Sequence, residues 1–305
     1  MEELSLNDKE IISNTQKTLY TRNEDTRTFG SYPQTRVTDE ELTKILSSIV
    51  GKHPTDSVDY GYYLEGEVVP YMFYIDIEYN DNKYRGVYYR KYRPSYTNKG
   101  PKTNHQEENG YPRKIIHWFK YEPITWTIKE ELNGKAIIVS NNILDSQDYC
   151  HFWNNIVLNK KIISINDYEY SHIREWLNNA FYNTAFNKSE RKIIQTIQVK
   201  NTLPKEDTFY DAFNHNDTKD KIYLLSKKEV TTYFKTELER QKCGTDYAKC
   251  QGLRDFGCLK NNYWLRSPNY YSSDHTHYVR YDGDIFGYEV YTTSFGVLPA
   301  LKIKL

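Results

Sequence analysis

The most constraining stretch of this chain runs from Tyr71 to Tyr89. There Tyr-Met-Phe-Tyr-Ile-Asp-Ile-Glu-Tyr is followed by Asn-Asp-Asn and then by Lys-Tyr-Arg-Gly-Val-Tyr-Tyr. Two apolar-rich runs around a short Asn/Asp cluster read as paired strands and a turn, which commits the fold to antiparallel sheet. A second hairpin is expected from the alternation Ile124-Thr-Trp-Thr-Ile128, the turn Asn133-Gly134 and the apolar run Lys135-Ala-Ile-Ile-Val-Ser140. Another apolar strand is expected over Ile115, Ile116, Trp118 and Phe119, after an exposed loop over Arg93–Pro112 rich in Pro, Gly, Asn, Lys and Glu.

Helices are expected between these strands. Thr38 with Glu41 forms a capping box ahead of Leu42, Ile45, Leu46 and Ile49, and Ser226 with Glu229 forms another after the strand Ile222–Leu225. From Ser171 to Tyr182 an apolar stripe of Ile173, Trp176, Leu177, Ala180 and Phe181 follows helical spacing, and a further helix is expected near Ser189. Thr245 or Asp246 is placed to cap a helix at Tyr247-Ala248-Lys249. With strands and turns filling the final 45 residues, the class is α+β.

Composition narrows the function classes. The 305 residues carry 41 Lys plus Arg against 41 Asp plus Glu, so no global field draws the chain to nucleic acid or to an anionic membrane. The mean hydropathy of -0.83 suits a disordered chain, but 15% aromatic residues, 30 of the positions being Tyr, argue for a folded one. Such tyrosine use fits contact surfaces, and equally a codon bias that raises Asn, Lys, Ile and Tyr together. The basic and aromatic run Tyr88-Tyr-Arg-Lys-Tyr-Arg93 fits a protected strand edge as well as a nucleic-acid contact. No apolar run reaches the roughly 18 residues of a membrane helix, and acids and amides begin at the second residue, so the expected address is cytoplasmic. Residues 1–28 are read as an arm or short helix through Leu4, Leu6, Ile11 and Ile12, and 29–305 as a single domain. Cys150, Cys243, Cys250 and Cys258 match neither a redox pair nor a zinc-knuckle spacing and are expected as free thiols.

Seven segments together carry a family resemblance: Phe29-Gly-Ser-Tyr-Pro-Gln34, Trp118-Phe-Lys-Tyr-Glu-Pro-Ile-Thr-Trp126, Ile143-Leu-Asp-Ser-Gln147, Ile173-Arg-Glu-Trp-Leu-Asn178, Gly244-Thr-Asp-Tyr-Ala248, Trp264-Leu-Arg-Ser-Pro268 and Gly296-Val-Leu-Pro-Ala-Leu301. In this order they resemble the bacterial domain-of-unknown-function family 6273. Leu298 departs from it, standing where the family usually has arginine. The ending is in turn similar to the closing half of C-type-lectin-like domains, including the formylglycine-generating-enzyme branch. That similarity implies mixed and antiparallel sheets with flanking helices, and terminal strands that present a ligand surface. Some bacterial and phage members of that fold diversify this surface by retroelement-driven mutation at adenines.

The segment before the last strand has the matching composition. The candidate ligand-binding residues are Tyr263, Asn269, Tyr270, Tyr271, Asp274 and His275, followed by His277, Tyr281, Asp282, Asp284, Tyr288 and Tyr291. Thr292, Thr293 and Ser294 continue the same polar run, and Asp282-Gly283 makes a turn within it. Rigid rings among adaptable hydrogen-bonding groups are the chemistry of paratopes, and also of ordinary loops in a Tyr-rich and Asn-rich chain. His275 and His277 could share one strand face as metal ligands with Asp282 or Asp284. Decoration of a polar strand accounts for the pair equally. Arg266, among apolar neighbours, needs a carboxylate or carbonyl partner.

No phosphate loop, nucleophile motif or carboxylate pair stands at usable spacing, so no catalytic residue, cofactor or metal is assigned. The function expected is recognition of a protein or cell-surface ligand, with no membrane insertion and no nucleic acid. The alternatives are a formylglycine-generating type of enzyme or its remnant, which the resemblance of the C-terminal pattern implies although the spacing of Cys243 and Cys250 does not match that branch's cysteine pair, and a structural scaffold. The oligomeric state is left open.

Overall fold

The computed structural model describes residues 22–23, 26–51, 61–64, 67–70, 72–90, 92, 105–151, 155–158, 160–201, 215–257, 260–269 and 272–305. The expected N-terminal arm or helix over Leu4–Ile12, Tyr270, Tyr271, Cys258 and most of the loop after Arg93 lie outside these residues.

A nine-stranded sheet is built around one long strand. Its principal members are β1 (Thr26–Arg36), β2 (Met72–Tyr79), β3 (Asn82–Tyr89), β4 (Ile116–Leu132) and β5 (Lys135–Ser140). β4 pairs with β1 along most of its length, while its other edge is shared between β3 at one end and β5 at the other. The sequence pattern suggested two strands here, one over Ile115, Ile116, Trp118 and Phe119 and one over Ile124–Ile128. One 17-residue strand forms instead, because β1 bulges opposite the proline. Gln34 repairs the ladder, its side-chain Nε2 donating to the carbonyls of Glu122 and Pro123 at 3.0 and 3.2 Å. Gly30, at φ +71°, makes the bulge, and a Cβ there would stand 2.6 Å from the Phe186 ring.

Both expected hairpins form. Asn80 and Asp81, and likewise Asn133 and Gly134, have positive φ at both turn centres, the twist that two-residue connections require. Helix α1 (Glu40–Val50) is capped by Asp39, whose carboxylate accepts from Leu42 N at 2.8 Å, one residue later than the expected Thr38 cap. The cap moves because Asp39 is the residue held in extended backbone at the helix entry. Only Leu46 of this helix is buried; Ile45 and Ile49 are exposed. The region expected as exposed loop contains the helical turn His105–Glu108, whose Gln106 is buried and donates to the Cys250 carbonyl at 2.8 Å.

The central helical run is α2 (His172–Trp176), a π turn at Leu177–Phe181 and the turn Tyr182–Ala185. The π turn rotates the stripe, so Ile173, Leu177 and Phe181 are buried while Trp176 is only partly so. Next, α3 (Lys188–Ile193) is capped by Asn187 with Glu190 completing the box. The main sheet then gains β7 (Ile194–Gln195) and β8 (Ile222–Leu224), and α4 (Lys227–Tyr233) carries the expected Ser226 and Glu229 box. Short helices α5 (Glu237–Arg240) and α6 (Asp246–Cys250) follow, the second capped by Thr245.

A second, five-stranded sheet contains β6 (Asp145–Ser146), β9 (Tyr263–Pro268), β10 (His275–Val279), β11 (Ile285–Glu289) and β12 (Gly296–Val297), in the order β11-β10-β9-β12-β6. The closing strand β13 (Pro299–Lys304) leaves this sheet for the first one, where it pairs with β5 on one side and with β7 and β8 on the other. Helices with mixed, mainly antiparallel sheets make the class α+β, as expected.

Candidate functional site

The resemblance motifs meet at the junction between the two sheets. Tyr32 donates its hydroxyl proton to Asp145 Oδ2 at 2.7 Å, and Asp145 Oδ1 accepts from Ser146 N and Gln147 Nε2 at 2.7 and 3.0 Å. Asp145 is buried, so these donors supply the solvation that water would otherwise give. Burial and the Asp145 charge together push the Tyr32 hydroxyl well above the ordinary tyrosine range, which keeps it a donor. The Gln147 carbonyl accepts from Trp264 Nε1 at 2.9 Å, and Ser146 Oγ bridges the carbonyls of Thr293 and Phe295, each at 3.0 Å. Gly244 completes the junction, since a Cβ there would lie 2.2 Å from Leu253 Cδ2.

Arg266 has the partners its burial requires. Its guanidinium pairs with both oxygens of Glu229 and donates to the carbonyls of Leu224 at 2.7 Å and Lys200 at 3.2 Å. Burial would raise the Glu229 pKa, yet the hydrogen bonds and charge of Arg266 outweigh it, and the carboxyl titrates below its ordinary value. The same carboxylate accepts from Ser226 N at 2.7 Å, so one ion pair ties β9 to the start of α4. Arg266 is therefore a structural anchor.

Above this foundation stands the β10–β11 hairpin. Phe295 sits at the centre of a ring cluster, with centroids of Tyr278, Trp264 and Tyr288 at 4.4, 4.6 and 5.3 Å. The hairpin turn at Arg280–Asp284 is clamped from below, Arg240 Nε donating to the Gly283 carbonyl at 2.7 Å and Gln241 Nε2 to the Asp282 carbonyl at 3.0 Å. Gly283, at φ +96°, lies so close to Glu237 that a Cβ would meet its carbonyl oxygen at 2.0 Å. On the outside of the turn Arg280 pairs with Asp282 and reaches Asp284 at 3.4 Å. Its guanidinium also covers Phe286 at 4.5 Å, and Tyr281 packs on Phe256 at 4.7 Å.

The candidate ligand-binding residues divide. Tyr281 is exposed; Asn269, Asp274, His275, Asp282, Asp284 and Tyr288 are half-buried; Tyr270 and Tyr271 lie outside the described residues. Tyr263, His277 and Tyr291 are buried, which removes them from any surface. Tyr263 donates to the Arg240 carbonyl at 2.9 Å from within β9, and His277 Nδ1 faces the carbonyls of Ser267 and Pro268, each at 3.1 Å. His275 turns instead to Asp274, 2.7 Å away, so the two histidines serve different partners. Thr292, Thr293 and Ser294 are likewise buried, because the chain here descends into the interior strand β12. Among the described residues no group of three His, Cys, Asp or Glu side chains is placed to hold a metal.

Three contributors carried no sequence signal. Phe286 is exposed on edge strand β11. Asn166, buried, donates its side-chain amide to the carbonyls of Ser272 and His275 at 3.1 and 2.9 Å, and Ser164 Oγ donates to the Ser273 carbonyl at 2.8 Å. These two residues fix the Ser272–His275 loop, and only the folded chain brings them to it.

Cys243 and Cys250 have separate environments. Cys250 is buried against the Tyr89 hydroxyl at 3.9 Å, and burial pushes its thiol far above the ordinary range, whereas Cys243 lies 3.4 Å from Lys260 Nζ. Among the described residues no helix is long and apolar enough to cross a membrane.

Residues 133–305 match the model of one protein family, described as Domain of unknown function (DUF6273). None of the curated proteins and none of the solved structures matches the chain.

Proposed function

The chain belongs to the DUF6273 family, and from that membership together with the geometry of its second sheet we propose that it is a recognition module whose β10–β11 hairpin binds a protein ligand. The carrying observation is the contrast between the hairpin's anchored strand and its free end. Thr276 and Val279 are fully buried within β10 and the turn is held by Arg240 and Gln241, while Tyr281 at the turn and Phe286 on the edge strand are exposed beside half-buried Arg280, Asp282 and Asp284. Rings and an arginine on a backbone that is already ordered give contact area with little entropy lost on binding. The binding residues in this reading are Tyr281, Asp282, Asp284 and Tyr288, with Arg280 and Phe286 added and the buried Tyr263, His277 and Tyr291 withdrawn.

A C-type-lectin-like course for the domain over residues 29–305, and diversification of the exposed hairpin positions, belong to the same proposal. They rest on the motif order and on an anchored hairpin with outward polar and aromatic positions. The formylglycine-generating alternative gains nothing from Cys250, whose thiol is held protonated in the core, away from the role of a metal or redox thiolate.

Panning a displayed random-peptide library on the protein tests the reading. Convergent binders are expected that lose at least tenfold in affinity, about 1.4 kcal/mol or more, when Tyr281 and Phe286 are both changed to Ala, with the melting temperature within a few degrees of wild type. Binders indifferent to that double change, or no convergence at all, would refute it.

A further inference from the structure

A cluster of cationic side chains lies outside the hairpin surface. Lys242 Nζ lies 4.2 Å from the centroid of the Phe234 ring, and Lys129 Nζ lies 4.0 Å from the same centroid. Lys260 Nζ stands 3.4 Å from the sulfur of Cys243, the residue after Lys242, and Lys242 faces Asn261 across an isolated bridge next to Lys260. Three side chains of one sign therefore converge on an aromatic ring and a thiol. The nearby acids are engaged: Glu239 accepts from Lys235 N at 2.8 Å, and Glu130 from the Tyr233 hydroxyl at 2.6 Å. Among the described residues the Lys242 ammonium has neither a hydrogen bond nor an ion pair, only the ring face, although its side chain is half-buried.

Burial and the two like charges disfavour the charged form of the central amine, outweighing the ring face that favours it, and the same charges attract an anion. We propose that Lys242 is a carbonyl-reactive amine and that Lys129 and Lys260 draw small anionic aldehydes or keto acids to it. The Lys242 nitrogen lone pair attacks the carbonyl carbon, a C–N bond forms, and the carbonyl oxygen leaves as water with the two protons the amine gives up. The product is an imine, and no oxidant or reductant is consumed. The direction of titration agrees: burial, then the charges of Lys129 and Lys260, lower the Lys242 pKa to about 8 against the opposing pull of Cys243 and Glu239. At pH 7.4 roughly a fifth of such a side chain is free amine, against about a thousandth for a lysine of ordinary pKa.

The probe is glyoxylate, with propanal as its uncharged counterpart, each trapped by borohydride at pH 7.4 and mapped by peptide mass spectrometry. Lys242 is expected to carry at least about tenfold more label than the average exposed lysine, a margin well inside its excess of free amine. Changing Lys129 and Lys260 to Met, singly and together, is expected to lower glyoxylate labelling of Lys242 more than propanal labelling, with thermal melts confirming the fold. Inorganic phosphate at constant ionic strength is expected to compete with glyoxylate alone. Labelling spread over lysines according to exposure would overturn the proposal. So would equal loss with both aldehydes, which would leave no role for anion attraction.

Discussion

At the scale of single residues, this protein concentrates its structural work in buried polar side chains. Asp145, Asn166 and Arg266 are each nearly inaccessible and each has several directed partners, so each joins segments far apart in sequence. Changing Glu229 to Gln strands the Arg266 guanidinium among carbonyls, and a loss of about 3 kcal/mol is expected at pH 7. The folded state holds the Glu229 pKa below its ordinary value, so the pair's contribution is complete above about pH 4.3 and disappears as pH falls through the folded value. Urea titrations at pH 7 and pH 3 should therefore show a large gap between wild type and E229Q at the first pH and a much smaller one at the second. His117 and His172 act in a different window. Burial lowers both to about 4, so the unfolded chain takes up their protons first and stability declines as pH drops from about 6.5 toward 4. Proton NMR of the two imidazoles is expected to show them neutral at pH 5.5.

At the scale of elements, what could be read in advance was what neighbours in sequence decide. Positive φ at Asn80-Asp81 and Asn133-Gly134 is a local property of those residue types, and so is capping by Ser226 and Thr245. The unity of β4 could not be read, because Pro123 breaks strands unless a partner bulges opposite it, and that partner lies some ninety residues earlier. The π turn at Leu177 was equally hidden, since one extra residue in a turn changes which side chains face inward without altering composition. The β1 bulge makes a sharp comparison possible. Gly30→Ala must satisfy both a positive φ and a 2.6 Å approach to Phe186, and a loss of about 2–4 kcal/mol is expected. Gly51→Ala has a similar φ of +81° but open space, and about 1 kcal/mol is expected. Equal destabilisation of the two in thermal melts would show that the contact with the helical run contributes nothing.

At the scale of the whole molecule, the surface expected from the last stretch of sequence splits into a foundation and a face. Tyr, Asn, Ser and Thr read alike whether they meet solvent or backbone. Tyr263, Tyr291, Thr293 and Ser294 lie inside, while Tyr281 and Phe286 lie outside. What separates them is non-local: the descent of the chain into β12 between β9 and β6. Sequence alone thus placed the turn at Asp282-Gly283, but not which side chains of the segment are buried. The Lys242 cluster was wholly unannounced, being assembled from three parts of the chain, Lys129, the stretch from Phe234 to Cys243, and Lys260.

The position of β13 has a consequence for biosynthesis. This strand fills the gap between β5 and the pair β7 and β8, so neither side of the main sheet can satisfy its inner hydrogen-bonding edge until residues 299–304 have emerged from the ribosome. Until then two strand margins stay open to pairing with neighbouring nascent chains, and the arrival of this one strand closes both.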